Sequence, residues 1–452
     1  MISDAEVAAV LPAKGWIADY MKFTAKALYA PRIFSLGMAH SLMLASTPFG
    51  HIRVGATKVS PTFFGLNIGS SGDGKTTAID AGIDILGIEN TAPSFASSNA
   101  FVEYLKVNPR TYISFGEFGR FLAETEDSVK TPLKTTFNDA FDGSPLANLL
   151  AGQVRNGNIT KVTRYHLGIY GGVTPEYLAR HTESVDWTSG FFARFGYFWG
   201  ATPKSRPTQW DESLAGTLRG TLRALRDSAD QFDGYPGYIG TDAAAQKLFD
   251  AFEADLHQIR GKGAALSKRA MTLARKFSLS YALDFGGVLT PSWKLTAREV
   301  EPAIELAKLS LRCGIAMFES IPENSAEKMR LELLTQLELG PKKLSALIRD
   351  APHMRRTIME IIETLMAAHL IEKDLESDAA DPTFTRTQRR MTVIGTSLNQ
   401  KPVGSGSTSK GSTSTPVIVA PLPSAVVSIT FDDFRSGSDS VDEEDDDPIW
   451  EP

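Results

Sequence analysis

Apolar residues recur at three- and four-residue spacing from Trp16 to Leu28 and again from Ile33 to Leu44, with Ala30-Pro31 between the two runs. That period predicts helices, and residues 1–60 read as a helical lead-in. The pattern then changes. Phe63, Phe64, Leu66 and Ile68 form a short apolar run that reads as a buried strand, and Thr76 to Leu86 returns to helical spacing. Ser98-Asn99-Ala100 caps a second helix over Phe101 to Val107, which Asn108-Pro109 breaks. Thr111 to Phe115 predicts a strand, Lys130 to Phe141 a helix, and Arg164 to Val173 another buried strand. Pro175 opens a helix over Glu176 to His181, and the aromatic run Gly190 to Trp199 reads as a central strand. Strands alternating with helices give an α/β core over residues 61–204.

Further on, the period is helical throughout. Ala215 to Phe232, Asp242 to Arg260, Ala264 to Leu283 and Arg298 to Ile321 define a helical region over 205–322. The last run opens on a capping box, Thr296-x-x-Glu299. Residues 323–395 change character. Three helices, Met329 to Leu337, Lys343 to Arg349 and His353 to Ala368, precede two strands at Leu370–Lys373 and Phe384–Arg386. Three helices and a hairpin predict a winged helix-turn-helix, a module that binds either DNA or protein. Residues 396–452 read as a flexible Gly/Ser/Thr linker, an apolar stretch over Pro416 to Ile429 and a disordered acidic tail.

Composition changes this picture in two places. The net charge of −6 is carried by the tail: from Asp432 onward there are ten acids against Arg435 alone, which leaves the body mildly basic. A basic body is compatible with nucleic-acid binding. The tail closes on Trp450 and resembles the acidic tips with which single-stranded DNA-binding proteins recruit replication proteins; a plain solubilising tail is the alternative. The lone Cys313 excludes an internal disulfide, and no apolar run is long enough for a membrane span. With no signal peptide in MISDAEVAAVLPAKGW, a cytoplasmic setting is expected.

The candidate chemistry centres on Gly69-Ser70-Ser71-Gly72-Asp73-Gly74-Lys75-Thr76, which fits G-x-x-x-x-G-K-[ST] at each fixed position between a strand and a helix. Such a loop turns its N–H groups toward phosphates, and the following helix adds its positive end. ATP is the expected ligand, held by Gly69, Gly72, Asp73, Gly74, Lys75, Thr76 and Thr77, with Thr76 also on Mg²⁺. Glu117, at the end of the Thr111–Phe115 strand, is the candidate for polarising water, although Gly116 stands where an Asp is usual. Thr174, at the end of the next long strand, is a candidate γ-phosphate sensor. Arg194 is a guanidinium within an aromatic run. It meets either a neighbouring subunit's γ-phosphate, as an arginine finger, or a structural carboxylate; Arg180 is a second choice for the finger.

Candidate DNA contacts are Arg155 and Lys161, on a hairpin predicted over 146–162 by Asn156-Gly157, and Arg355 and Arg356 at the start of the third winged-helix helix. Lys268, Arg269, Arg275 and Lys276 fall close on one helix and read as a solvated basic face.

The order GSSGDGKTT, YISFGEFGRFL, FNDAFDG, LGIYGGVTPEYL, GFFARFGYFW and ALSKRAMTLARKFSLSYAL resembles the RecA-like P-loop ATPase domain of phage, plasmid and genomic-island proteins over about residues 15–320. The resemblance implies a DNA helicase or replication ATPase working as a ring-shaped homo-oligomer, a hexamer, with Lys75 and Thr76 on nucleotide, Glu117 catalytic and Arg194 as the finger. Single-stranded DNA and replication proteins are the implied partners. The departure at Gly116 leaves open a slow ATPase that acts as replication initiator, helicase loader or DNA-bound regulator.

Overall fold

The computed structural model describes residues 1–387 apart from 48–51, 88–96, 126–130, 148–160, 183, 201–208, 232–237, 287–292, 322–324, 350–354, 375–376 and 379. These residues divide into two compact units, one ending near residue 324 and one beginning at Ser325.

The first unit is built on a four-stranded parallel sheet. Its strands are β3 (Phe63–Ile68), β4 (Arg110–Phe115), β7 (His166–Val173) and β8 (Phe195–Trp199), in the order β4-β7-β3-β8. Every residue of β3 and β7 is buried, the mark of a parallel sheet covered on both faces. Successive side chains point to opposite faces. Phe63 meets Phe277 of the helix Gly263–Gly286, while Phe64 meets Phe137 and Phe141 of the helix Thr131–Asp142. The helix Arg32–Ala45 of the lead-in crosses β3, β7 and β8 and packs on the helix Lys75–Leu86, so the lead-in belongs to the same core.

Two expectations need correction. Residues 1–60 are not helical throughout: after Asp4–Val10, Trp16–Ala27 and Arg32–Ala45 come the strands β1 (Ile52–Val54) and β2 (Thr57–Val59). Nor is 205–322 all helix, since β9 (Tyr238–Thr241) and β10 (Lys294–Leu295) lie among its helices. These four short strands form one sheet, β10-β9-β1-β2, antiparallel between β1 and β2 and parallel elsewhere. Two- to four-residue strands are too short to show a period.

The predicted hairpin over 146–162 has its base in place, β5 (Leu146–Ala147) paired with β6 (Lys161–Val162). A helix over Phe118–Thr125 was not expected. The basic cluster on Gly263–Gly286 is no solvated face. Lys268 is exposed, but Lys276 is fully buried, donating to the carbonyls of Thr62 and Phe141, and Arg269 pairs with Asp142. Cys313 is buried.

The second unit has the expected three helices, Ser325–Glu338, Leu344–Ile348 and Arg355–Ala367, and the hairpin of β12 (Ile371–Lys373) and β13 (Thr383–Arg386). A further strand, β11 (Lys342–Lys343), joins them in the antiparallel order β11-β13-β12. Leu333, Leu337, Leu347, Ile358, Ile362 and Phe384 give it a separate core. The acidic tail and the linker before it lie outside the described residues. Among the described residues, no helix is long and apolar enough to cross a membrane.

Candidate functional site

All strands of the large sheet run the same way, so the carboxyl ends of β3, β4 and β7 meet at one edge. In open parallel sheets that edge is where ligands sit. β3 delivers the loop Gly69–Gly74 there, β4 delivers Gly116 and Glu117, and β7 delivers Thr174. The Glu117 strand is separated from the loop strand by β7.

The loop closes onto the helix Lys75–Leu86 through Gly74, in the left-handed region at φ +76. A Cβ at Gly74 would stand 2.1 Å from the carbonyl oxygen of Tyr29, so only glycine fits both the backbone and the space. The Lys75 ammonium is folded back on the loop, donating to the carbonyls of Gly69 (2.8 Å) and Ser70 (2.6 Å). Asp73 Oδ2 accepts the N–H of Ser70 at 2.6 Å and braces the turn. Burial lowers the pKa of Lys75, and the carboxylates of Asp73, Glu176 and Glu117 partly offset the shift.

A cavity of about 480 Å³ opens over this loop. That lies within the roughly 300–1,000 Å³ of small-molecule sites. Its walls bring together Gly72, Gly74, Lys75, Thr76, Thr77, Glu117 and Thr174. Gly69 and Asp73 are not among the lining residues; they accept hydrogen bonds from Lys75 and from the N–H of Ser70 within the loop. Thr76 Oγ1, in the first turn of the helix Lys75–Leu86, donates to the carbonyl of Gly116 just past β4 at 3.3 Å. Thr174 caps the helix Pro175–His181, its Oγ1 accepting from the N–H of Tyr177. Tyr29, Arg120 and Tyr177 also line the cavity and were missed. Arg120 and Tyr177 follow the strand ends by one turn of helix and were legible on that ground. Tyr29 carried no such signal.

Among the described residues no group of three or more His, Cys, Asp and Glu is arranged to hold a metal on its own. Mg²⁺ keeps several waters and is held by few protein oxygens together with substrate phosphates. The Thr76 hydroxyl, on that wall, could serve as one such oxygen.

Other predicted residues are elsewhere. Arg194 is not in a strand. It ends the 3₁₀ turn Phe192–Arg194 at the amino end of β8, away from the cavity edge. Its guanidinium is buried and committed within the chain, to Asp142 Oδ2 at 2.5 Å and the carbonyl of Gly190 at 2.7 Å. Asp142 Oδ1 receives Arg269 as well, at 3.1 Å. Of the two expectations for Arg194, the carboxylate is the partner this geometry gives it within its own chain. Arg180 is exposed on the helix that Thr174 caps. Lys161 is exposed at the hairpin base, and Arg155 lies outside the described residues. Arg355 and Arg356 open the helix Arg355–Ala367 with both side chains exposed, Arg356 reaching Glu360 at 3.0 Å. No protein-family model matches the chain, and no curated protein matches it.

Proposed function

We propose that the chain binds ATP with Mg²⁺ at the Gly69–Thr77 loop, hydrolyses it, and uses the cycle on DNA. It would act as a RecA-like, replicative helicase-like ATPase of a phage or mobile element. The observation that carries the reading is the convergence of Lys75, Thr76, Glu117 and Thr174 on one cavity at the carboxyl edge of a parallel sheet. In this reading Lys75 leaves the Gly69 and Ser70 carbonyls and places its charge on the β- and γ-phosphates. Glu117 orients a water and takes its proton as the water oxygen bonds to the γ-phosphorus and the bond to the β-γ bridging oxygen breaks. Thr174 supplies a hydroxyl beside the γ-phosphate, and the amino end of the helix Lys75–Leu86 stabilises the negative charge.

A second reading is favoured by two observations. Gly116 leaves the metal side short of a carboxylate, and Arg194 is held by Asp142 within its own chain. Both suit a slow ATPase whose bound nucleotide switches assembly, as in an initiator, loader or DNA-bound regulator. A hexameric ring, contacts to replication proteins through the acidic tail, and DNA contacts by Arg355 and Arg356 belong to the proposal in either form.

The test is turnover with and without single-stranded DNA. Rapid hydrolysis that DNA accelerates supports the motor. Slow hydrolysis indifferent to DNA supports the switch. No nucleotide binding by the intact chain would remove both.

A further inference from the structure

The small sheet β10-β9-β1-β2 has one buried face and one outward face. Ile52, Val54, Val59, Ile239 and Leu295 point inward and are all at most 3% exposed. The register sets what points outward: Lys58 of β2 is the direct partner of Arg53 of β1, and Lys294 of β10 is the partner of Gly240 of β9. Lys58, Arg53 and Lys294 are exposed. That face thus presents three cations, and no acid stands at an outward position of these strands.

Two features bear on these cations. Like charges directly opposite across an antiparallel pair are destabilising, and Arg53 faces Lys58 in that way. None of the three meets a carboxylate among the described residues, whereas Arg110, Arg219, Arg269 and Arg312 of the same unit each do. Lysine on an edge strand guards against strand addition, which accounts for Lys58 and Lys294. It does not account for Arg53, which sits inside the sheet between β2 and β9. Mutual repulsion with no internal counter-charge is relieved by an external polyanion.

We propose that this outward face binds the phosphodiester backbone of single-stranded DNA, a site separate from the hairpin and the winged module. The inference rests on the proposal that the chain acts on DNA. Strands about 4.8 Å apart space the cations along a path a nucleic-acid backbone can follow. Only three residues separate β2 from the amino end of β3, the strand that carries the phosphate loop at its opposite, carboxyl end.

The test uses the full chain and a fluorescein-labelled oligo-dT, with anisotropy followed through a salt titration. The variants are Arg53→Gln/Lys58→Gln/Lys294→Gln together and Lys58→Glu alone. The triple variant is expected to weaken binding and to flatten the slope of log K against log salt by about 2, at roughly 0.7 for each single-strand phosphate that is no longer neutralised. Lys58→Glu is expected to raise the melting temperature, because Arg53 gains an opposite charge, while weakening DNA binding. A purely structural role would not move those two readouts in opposite directions. Unchanged affinity and slope in the triple variant, with wild type binding DNA, would overturn this surface alone. Wild type failing to bind oligo-dT would overturn both the surface and the DNA reading, and ATP binding would be left standing.

Discussion

Thr76 Oγ1 and the carbonyl oxygen of Gly116 lie 3.3 Å apart, a hydrogen bond that ties the end of the phosphate loop to the end of the Glu117 strand. A Cβ at Gly116 would reach Thr76 Cγ2 at 3.4 Å, an ordinary contact, so a side chain is sterically admitted there. Gly116→Asp would place a carboxylate beside the hydroxyl assigned to Mg²⁺. The expected outcome is a rise in kcat of about tenfold or more, roughly 1.4 kcal/mol of transition-state stabilisation, in steady-state ATPase assays with Mg²⁺. An equal or lower kcat would show that Gly116 is not what limits turnover.

Gly74 is the opposite case. Its left-handed backbone and the Tyr29 carbonyl 2.1 Å from a would-be Cβ leave no room for alanine. Gly74→Ala is expected to abolish nucleotide binding, read by fluorescence of a labelled ATP analogue, and to lower stability by about 1–3 kcal/mol. Normal binding by this variant would contradict the loop geometry.

Arg194 separates a structural arginine from a finger. Removing it takes one of the cations from Asp142, which Arg269 also meets, in a partly buried site. Arg194→Ala is expected to destabilise the chain by about 2–4 kcal/mol in urea unfolding, with nucleotide affinity retained under folding conditions. A variant with full stability but no cooperative turnover would return Arg194 to the finger role.

Asp284 gives a pH dependence. Its carboxylate accepts the N–H of Ile17 at 2.8 Å, and burial pushes its pKa up to about 6. A raised carboxyl pKa means that the folded state holds the proton more tightly than the unfolded state. The stabilising contribution is therefore full below about pH 4 and is lost as pH rises through 6. Asp284→Asn removes the ionisation and keeps an acceptor for Ile17. Its melting temperature is expected to match wild type near pH 3.5 and to exceed it at about pH 8. Parallel curves for the two proteins across that range would refute the assignment.

Much of the core was legible because its signals are local. The run Phe63–Ile68, the glycines of the loop and the helical period after Lys75 sit next to each other in the chain, and neighbouring residues fix each of them. Thr174 and Glu117 were legible because a strand end follows from the apolar run before it. The surroundings of Arg194 were not, because its carboxylate partner is Asp142, 52 residues away. Its aromatic neighbours suggested a strand where the chain makes a 3₁₀ turn. Lys276 looked like one more cation on a basic face, yet its partners are carbonyls of Thr62 and Phe141, 214 and 135 residues distant. The sheet β10-β9-β1-β2 joins segments from three distant parts of the chain through strands of two to four residues. Long-range pairing, rather than any local preference, makes them strands.

The proposed ATPase stands or falls on Lys75 binding a triphosphate that Glu117 helps to hydrolyse. ATP binding and single-turnover hydrolysis should therefore be measured for wild type, Lys75→Ala and Glu117→Gln, side by side on folded protein. Lys75→Ala is expected to lose ATP binding. Glu117→Gln is expected to bind as wild type does while its hydrolysis falls about 10²-fold or more, the range for removing a general base. Normal binding and hydrolysis by Lys75→Ala would refute the assignment of the loop as the nucleotide site.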